Sequence, residues 1–202
     1  MRTLSVYTLF TCITVNLVSA QKITNDSIMY LDEVSVSRHE EVVIKTKGRR
    51  GETRGFQNEK FQFVSLVEGI PKGEISSLVL YFKNPEFRDY DDVEYELRLL
   101  ILEVGKNGSP GNAISDTDLR FKIKSGNKNK VELDLRALNL ESRNRLFFGF
   151  EIIEYNGKIP LILDFWETRT EVSFFKDREN EWKRPSGFLA TLKMELAIWP
   201  ID

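Results

Sequence analysis

The chain reads as an all-β protein: a single two-sheet β-sandwich of jelly-roll type with about ten antiparallel strands. Three observations predict this. From Val34 onward, apolar residues recur with period two, the pattern of strands that bury one face and wet the other. Turn signals separate these runs at spacings of roughly 10 to 20 residues, which suits a sandwich or barrel. No long stretch keeps the three-four spacing of an amphipathic helix, and Ala137–Arg145 offers one short helical turn at most.

The elements follow in order. Residues 1–20 read as a cleavable export signal. Arg2 gives a positive start, Leu4 to Val18 is mostly apolar, and Val18-Ser19-Ala20 places small residues where a signal peptidase reads them. A membrane anchor is the competing reading, but Thr3, Ser5, Thr8, Thr11, Thr14 and Asn16 interrupt the run, which falls short of the ~20 apolar residues of a spanning helix. The mature protein is then Gln21–Asp202, with no transmembrane segment expected in it.

Strand signals come next. Val42 and Ile44 alternate with polar neighbours, as do Phe61, Phe63 and Ser65. Tyr95, Leu97, Leu99 and Ile101 share a face, followed by Leu119, Phe121 and Ile123, then Val131, Leu133 and Leu135. Phe188, Ala190, Leu192, Met194, Leu196 and Ile198 complete the series. Turns are expected at Ile70–Gly73, Asn107–Gly111, Ser125–Asn127 and Tyr155–Lys158. An outer-membrane barrel also alternates, but it needs an apolar outward band and aromatic girdles, and many of these strands are short.

Composition excludes several classes. The one cysteine, Cys12, lies in the signal segment with Phe10 and Thr11 before it, where a lipoprotein signal needs a small residue. The mature domain therefore has no thiol, which removes disulfides, thiolate metal sites and cysteine nucleophiles. Without Arg2 the chain holds 28 basic and 31 acidic residues, a net charge of −3. A nucleic-acid binder normally carries a strong basic excess, so no nucleic-acid partner is expected.

The middle of the chain carries a family resemblance. Leu97 to Val104 reads LRLLILEV and runs into Asn107-Gly108-Ser109-Pro110-Gly111; Val131–Leu135 follows with Asn139-Leu140, then Phe147-Phe148-Gly149-Phe150-Glu151-Ile152. This order resembles a β-sandwich region of secreted Bacteroidetes proteins, often found beside carboxypeptidase-regulatory-like domains. In that family "xRLxIYxV" precedes a Gly-x-Pro-Gly turn, a "VDLSxYNI" segment and a "FFVAIEW" strand. The likeness spans Ile75 to Ile153, with a looser echo from Trp182 to Leu196. The pattern departs at Arg136-Ala137-Leu138, where the family has Ser-x-Tyr, and at Ile152-Ile153, which replaces a Trp. The resemblance implies a bacterial envelope sandwich and transfers no catalytic residue.

Candidate sites divide by chemistry. His39, the only histidine, stands in a charged stretch and reads as a surface residue; no Gly-x-Ser-x-Gly elbow accompanies it. Glu151, Glu154, Asp164 and Glu167, with Trp166 nearby, are the residue types of a glycosidase, which needs two carboxyls about 5 to 9.5 Å apart around a cleft. The acidic run holding Asp89, Asp91 and Asp92 has the oxygen ligands Ca²⁺ takes, without EF-hand spacing. No other cofactor is expected.

Lys45–Phe56 packs Lys47, Arg49, Arg50 and Arg54 among three glycines. It reads as a mobile, solvated hairpin tip or as a catcher of acidic glycans, phosphates or an acidic protein patch. Tyr90, Trp166 and Trp182 stand near loops or strand ends, where aromatics stack on sugars or seal a core. Two sequons, at Asn25 and Asn107, matter only in a eukaryotic secretory route.

The expected function is a non-catalytic extracytoplasmic binding or structural module. Its partner would be a glycan or an envelope protein, bound through Arg49, Arg50, Arg54, Tyr90, Trp166 and Trp182. The alternative is a carbohydrate-active enzyme using paired carboxylates, and a third reading is a subunit of a surface assembly.

Overall fold

A computed structural model describes residues 28–30 (backbone only), 40–49, 51, 53–56, 58–82, 94–124, 130–155, 160–169, 172–177, 181–186 and 189–201. The strands in chain order begin with β1 (Ile28–Tyr30), β2 (Val42–Lys45), β3 (Thr53–Phe56), β4 (Gln62–Glu68) and β5 (Gly73–Tyr81). Next come β6 (Glu94–Val104), β7 (Pro110–Ala113), β8 (Asp118–Lys124), β9 (Lys130–Asp134) and β10 (Arg145–Tyr155). The last are β11 (Leu161–Glu167), β12 (Ser173–Lys176), β13 (Ala190–Leu192) and β14 (Met194–Pro200). The short helical turn expected within Ala137–Arg145 is a 3-10 turn at Arg136–Leu138, at the very start of that range, closed by Asn139 in the left-handed region at φ 48°.

The protein is all-β. A seven-stranded sheet runs β1-β8-β6-β10-β4-β12, with β7 also against β6. A four-stranded sheet runs β2-β14-β5-β9 and a three-stranded one β13-β11-β3. Every pairing is antiparallel except β1 with β8. The expectation of about ten strands in two sheets is thus corrected upward in both counts. The cause is a joint that alternation alone hides: the apolar pattern of residues 190–200 runs unbroken, while the strand changes partners midway.

That joint is Lys193. Leu192 still pairs with Phe165 of β11, whereas Met194 already pairs with Leu80 of β5. Between them Lys193 donates its backbone N–H to the Asp164 carbonyl at 2.9 Å and accepts from Tyr81 N–H at 3.1 Å. The two smaller sheets meet end to end there, and a bridge between Phe82 and Leu163 reinforces the contact.

The main core lies between these sheets and the seven-stranded one. Phe63, Phe148, Phe150, Ile75, Leu78 and Leu146 are almost wholly buried in it. Aromatic contacts cross the gap: Phe63 meets Phe165 edge-on at 5.3 Å, and Phe56 meets Phe150 at 6.0 Å. Such pairs add roughly 0.5–1.5 kcal/mol each beyond burial.

The seven-stranded sheet is buried on both faces at its centre, contrary to the one-face-wet expectation. Val64, Leu102, Phe147 and Phe174 form a second cluster on its outer side, with Leu66, Leu100, Val104 and Trp182 against it. A segment after β12 covers this cluster: Lys183 and Phe175 exchange two backbone hydrogen bonds of 2.8 Å. The Arg184 guanidinium lies 5.2 Å from the Phe174 ring.

One edge needs special treatment. β13 pairs with β11 on one side only, so its other edge brings backbone polar groups into the interior. Three hydroxyls stand in for the missing strand. Ser65 Oγ accepts from Leu192 N–H at 2.9 Å, Ser173 Oγ donates to the Ala190 carbonyl at 2.6 Å, and the two serines bond each other at 2.7 Å. Thr46 Oγ1 donates to the Leu192 carbonyl at 2.7 Å and sits 2.9 Å from Met194 N. Ser65 and Ser173 are both buried, where an unmet backbone group costs about 1–3 kcal/mol.

Ser173→Val should therefore lower stability by about 1–3 kcal/mol, because it leaves the Ala190 carbonyl and Ser65 Oγ short of a partner. Thermal denaturation followed by circular dichroism reads this directly. An unchanged midpoint would mean the seam contributes nothing.

Candidate functional site

A wide cavity lies where the chain crosses between sheets after β2. β2 pairs with β14, but Arg49 already bridges Glu167 of β11, its N–H donating to the Glu167 carbonyl at 3.0 Å. β3 then runs along the far edge of β11. The described residues between them, Thr46 to Arg49 and Gly51, form a strap across the β11–β13 ladder.

Glycine lets the strap lie flat. A Cβ on Gly48 would stand 2.4 Å from the Glu167 carbonyl oxygen and 2.6 Å from Trp166 Cβ; one on Gly51 would overlap the Phe165 carbonyl oxygen at 1.4 Å. These glycines serve close approach, not freedom. The described part of Lys45–Phe56 keeps most of its side chains exposed, as a solvated segment does, while its backbone lies against β11 at Gly48 and Gly51.

Between the strap, the end of β4 and the turn after β11 is a cavity of about 750 Å³. Lys45, Lys47, Arg49 and Arg169 line it, facing Glu68 and Glu167. Two of these six charges are already neutralised: Lys45 pairs with Glu195 at 2.9 Å, and Glu68 with Arg145 at 2.8 Å. Lys47, Arg49, Arg169 and Glu167 make no side-chain ion pair among the described residues. Among the described residues, three unpaired cations therefore stand against one unpaired carboxylate in the lining, in a chain whose formal net charge is −2. Thr191 belongs to the wall; it is 4% exposed, and its hydroxyl has no hydrogen-bond partner among the described residues.

The other expected residues are scattered. Arg54 is exposed opposite Leu163, while Trp166 lies opposite Thr191. Alternation along β11 projects Arg54 and Trp166 to opposite faces of that sheet. Trp166 is half-buried at the sheet joint, with the Lys193 ammonium 5.0 Å from its ring and 4.7 Å from the Tyr81 ring. Trp182 caps the second cluster, with the Lys176 ammonium 5.9 Å from it. Arg50, Tyr90, Asp89, Asp91, Asp92 and His39 lie outside the described residues, as do the signal segment and the turns at Ser125–Asn127 and Asn156–Lys158. Among the described residues no group of three or more His, Cys, Asp or Glu is placed to hold a metal ion. No helix among them is long and apolar enough to cross a membrane.

The paired carboxylates do not converge. Glu151 sits on the outer face of the seven-stranded sheet, between the core residues Phe150 and Ile152, and accepts from Arg98 at 2.7 Å. Asp164 alternates with Leu163 and Phe165 on β11 and points out on the other side, 3.9 Å from Lys193. The packed core lies between them, so no sugar can lie between both. Glu151 belongs instead to an ion lattice. Arg98 also holds Asp118 at 2.7 Å, and Arg120 joins Asp118 at 2.8 Å to Glu96 at 2.9 Å. The Arg98 bond, aided by Arg120 and opposed by burial, lowers the Asp118 carboxyl to about 2. On the opposite face, Tyr81 donates to Glu195 at 2.6 Å; that bond, then burial, pushes the phenol up to about 12.

Sequence reasoning found Arg49 from the density of cations around it. It missed Arg169, Glu68 and Thr191, which reach the cleft from distant strands and carry no local signal. No protein-family model matches the chain, and no curated protein matches it either.

Two outcomes follow. Gly51→Ala must push the strap off β11, costing about 1–3 kcal/mol; an unshifted urea midpoint would show that the strap does not rest there. Asp118, lowered from 3.8 to about 2, contributes stability that is complete above its unfolded value and is lost as pH falls through about 2. Asp118→Asn should thus destabilise the protein at pH 7, and the gap to wild type should close toward pH 2 in parallel urea titrations. A gap independent of pH would exclude the ion lattice as its source.

Proposed function

We propose that the protein is a non-catalytic, extracytoplasmic binding or structural module of the bacterial cell envelope, holding a glycan or an envelope protein in the cleft under the strap. The observation that carries this reading is the cleft: about 750 Å³, in the range of ligand pockets, and lined by Lys47, Arg49 and Arg169, which make no side-chain ion pair among the described residues. On the outer face of the seven-stranded sheet, by contrast, Arg98, Asp118, Arg120, Glu96 and Glu151 pair with one another. The signal-like start of the chain supports export, and the resemblance to secreted Bacteroidetes sandwich regions supports an envelope setting. The fold reading that goes with it is a jelly-roll-type sandwich, with the two smaller sheets counted as one curled layer because residues 190–200 run through both.

Binding is tested on columns. The purified full chain is passed over immobilised neutral and acidic polysaccharides and over detergent-solubilised envelope proteins, beside Arg49→Ala. Retention on one of these that the variant loses, with its thermal midpoint unchanged, supports the reading. No retention on any matrix, or retention indifferent to Arg49, counts against the cleft.

A further inference from the structure

We infer that the cleft under the strap takes an acidic oligosaccharide, one that carries carboxylates beside free hydroxyls, as a chain of uronic acids does. This rests on the binding-module reading and names its ligand class.

Charge sets the first requirement. Lys45 ends β2, Lys47 and Arg49 follow it on the strap, and all three are exposed and line the same cavity. The strap thus brings three cations to one wall. Arg169 faces them from the turn after β11. With Lys45 engaged by Glu195, Lys47, Arg49 and Arg169 remain to meet anions, and a neutral ligand would leave all three unanswered. Guanidinium groups bind carboxylates through two parallel hydrogen bonds, which suits Arg49 and Arg169.

The carboxylates of the same lining narrow the class further. Glu167 has no ion-pair partner among the described residues, while Glu68, on the same wall, is held by Arg145 at 2.8 Å. Ionised carboxylates only accept hydrogen bonds. The side chains of an acidic peptide are also acceptors and would repel them, whereas sugar hydroxyls donate. Thr191, buried at the wall with a partnerless hydroxyl, adds a polar group suited to a hydroxylated ligand. Cations, carboxylates and a hydroxyl in one cavity therefore complement a molecule bearing both anions and alcohols. The volume, about 750 Å³, suits a short oligosaccharide rather than a folded domain.

The test is isothermal titration of the full chain with four probes: a tetragalacturonate, a neutral glucose oligomer of equal length, a sulfated glucose oligomer, and a tetraglutamate peptide. The expected result is tightest binding to the tetragalacturonate, weakening as salt rises from 50 to 300 mM. Arg49→Ala and Arg169→Ala should each weaken it by about tenfold, while Arg49→Lys retains more affinity than Arg49→Ala. Glu167→Gln should narrow the margin over tetraglutamate. Thermal midpoints of the variants separate lost binding from lost fold. Equal or tighter binding of tetraglutamate overturns the inference in favour of an acidic peptide, and equal binding of the neutral oligomer overturns it in favour of an uncharged glycan. Tighter binding of the sulfated oligomer would show that charge density, not the carboxylate-and-hydroxyl pattern, decides. No binding of any probe also overturns it. In all four cases retention of another glycan or an envelope protein in the column experiment leaves the binding-module reading standing.

Discussion

The structure depends on how the inward edge of β13 is satisfied. An edge strand carries unpaired N–H and C=O groups, which are tolerable in water and costly inside. Here the edge points at the seven-stranded sheet, where no strand can lie beside it. Ser65 and Ser173 supply the bonds from the inner faces of β4 and β12, and Thr46 supplies them from the start of the strap. The seam pins the two layers at one corner and places the strap's first residue. Every feature of the cleft inherits its position from there, because Thr46 lies between Lys45 and Lys47 in its lining.

A second constraint works on the other side of the seven-stranded sheet. β4 reads Gln-Phe-Val-Ser-Leu-Val-Glu, apolar on both faces, and a strand of that kind must be covered twice. The main core covers one face. The segment around Trp182 and Lys183 covers the other by adding to the edge of β12. Trp182 thus finds a packing role that an aromatic near a loop gives no hint of in isolation. The same holds for Trp166: its outer face is occupied by Lys193, the residue at which one strand passes from one sheet to the next.

Local alternation made much of the fold legible. Tyr95–Ile101 and Leu119–Ile123 are strands where their periodicity places them, as is Val131–Asp134, since each pairs within one sheet; the one irregularity, a bulge at Ile153 opposite Glu96 and Leu97, lies on the partner strand β10 and leaves the alternation of β6 intact. What stayed hidden is non-local. Ser65 sits in an apolar series as though it were a gap, and only the fold brings Ser173 to it across 108 positions. Residues 190–200 alternate through Lys193 without a break, so the change of partner leaves no mark on the pattern. Gly48 and Gly51 have the composition of a loose loop, and the carbonyls that require them belong to β11. The candidate site was legible to the same degree: Arg49 through its cationic neighbours, and Arg169 and Glu68 not at all.

The distribution of charge is what separates the cleft from the rest of the surface. On the outer face of the seven-stranded sheet, Arg98, Asp118, Arg120, Glu96 and Glu151 form a closed lattice in which each cation touches two carboxylates. Such pairs on adjacent strands fix register and offer a visiting ion little, since the Asp118 carboxyl is already held well below its ordinary range by Arg98. Under the strap the arrangement is inverted. The backbone is fixed by Gly48, Gly51 and the Arg49–Glu167 bridge, so the side chains are not needed to hold it. Lys47 and Arg49 are therefore carried on a backbone held by close contacts, with no ion pair among the described residues, which is the arrangement that keeps the ordering cost of binding small. Rigid placement of unneutralised groups, rather than the number of cations in the segment, is what distinguishes a binding surface from a solvated loop.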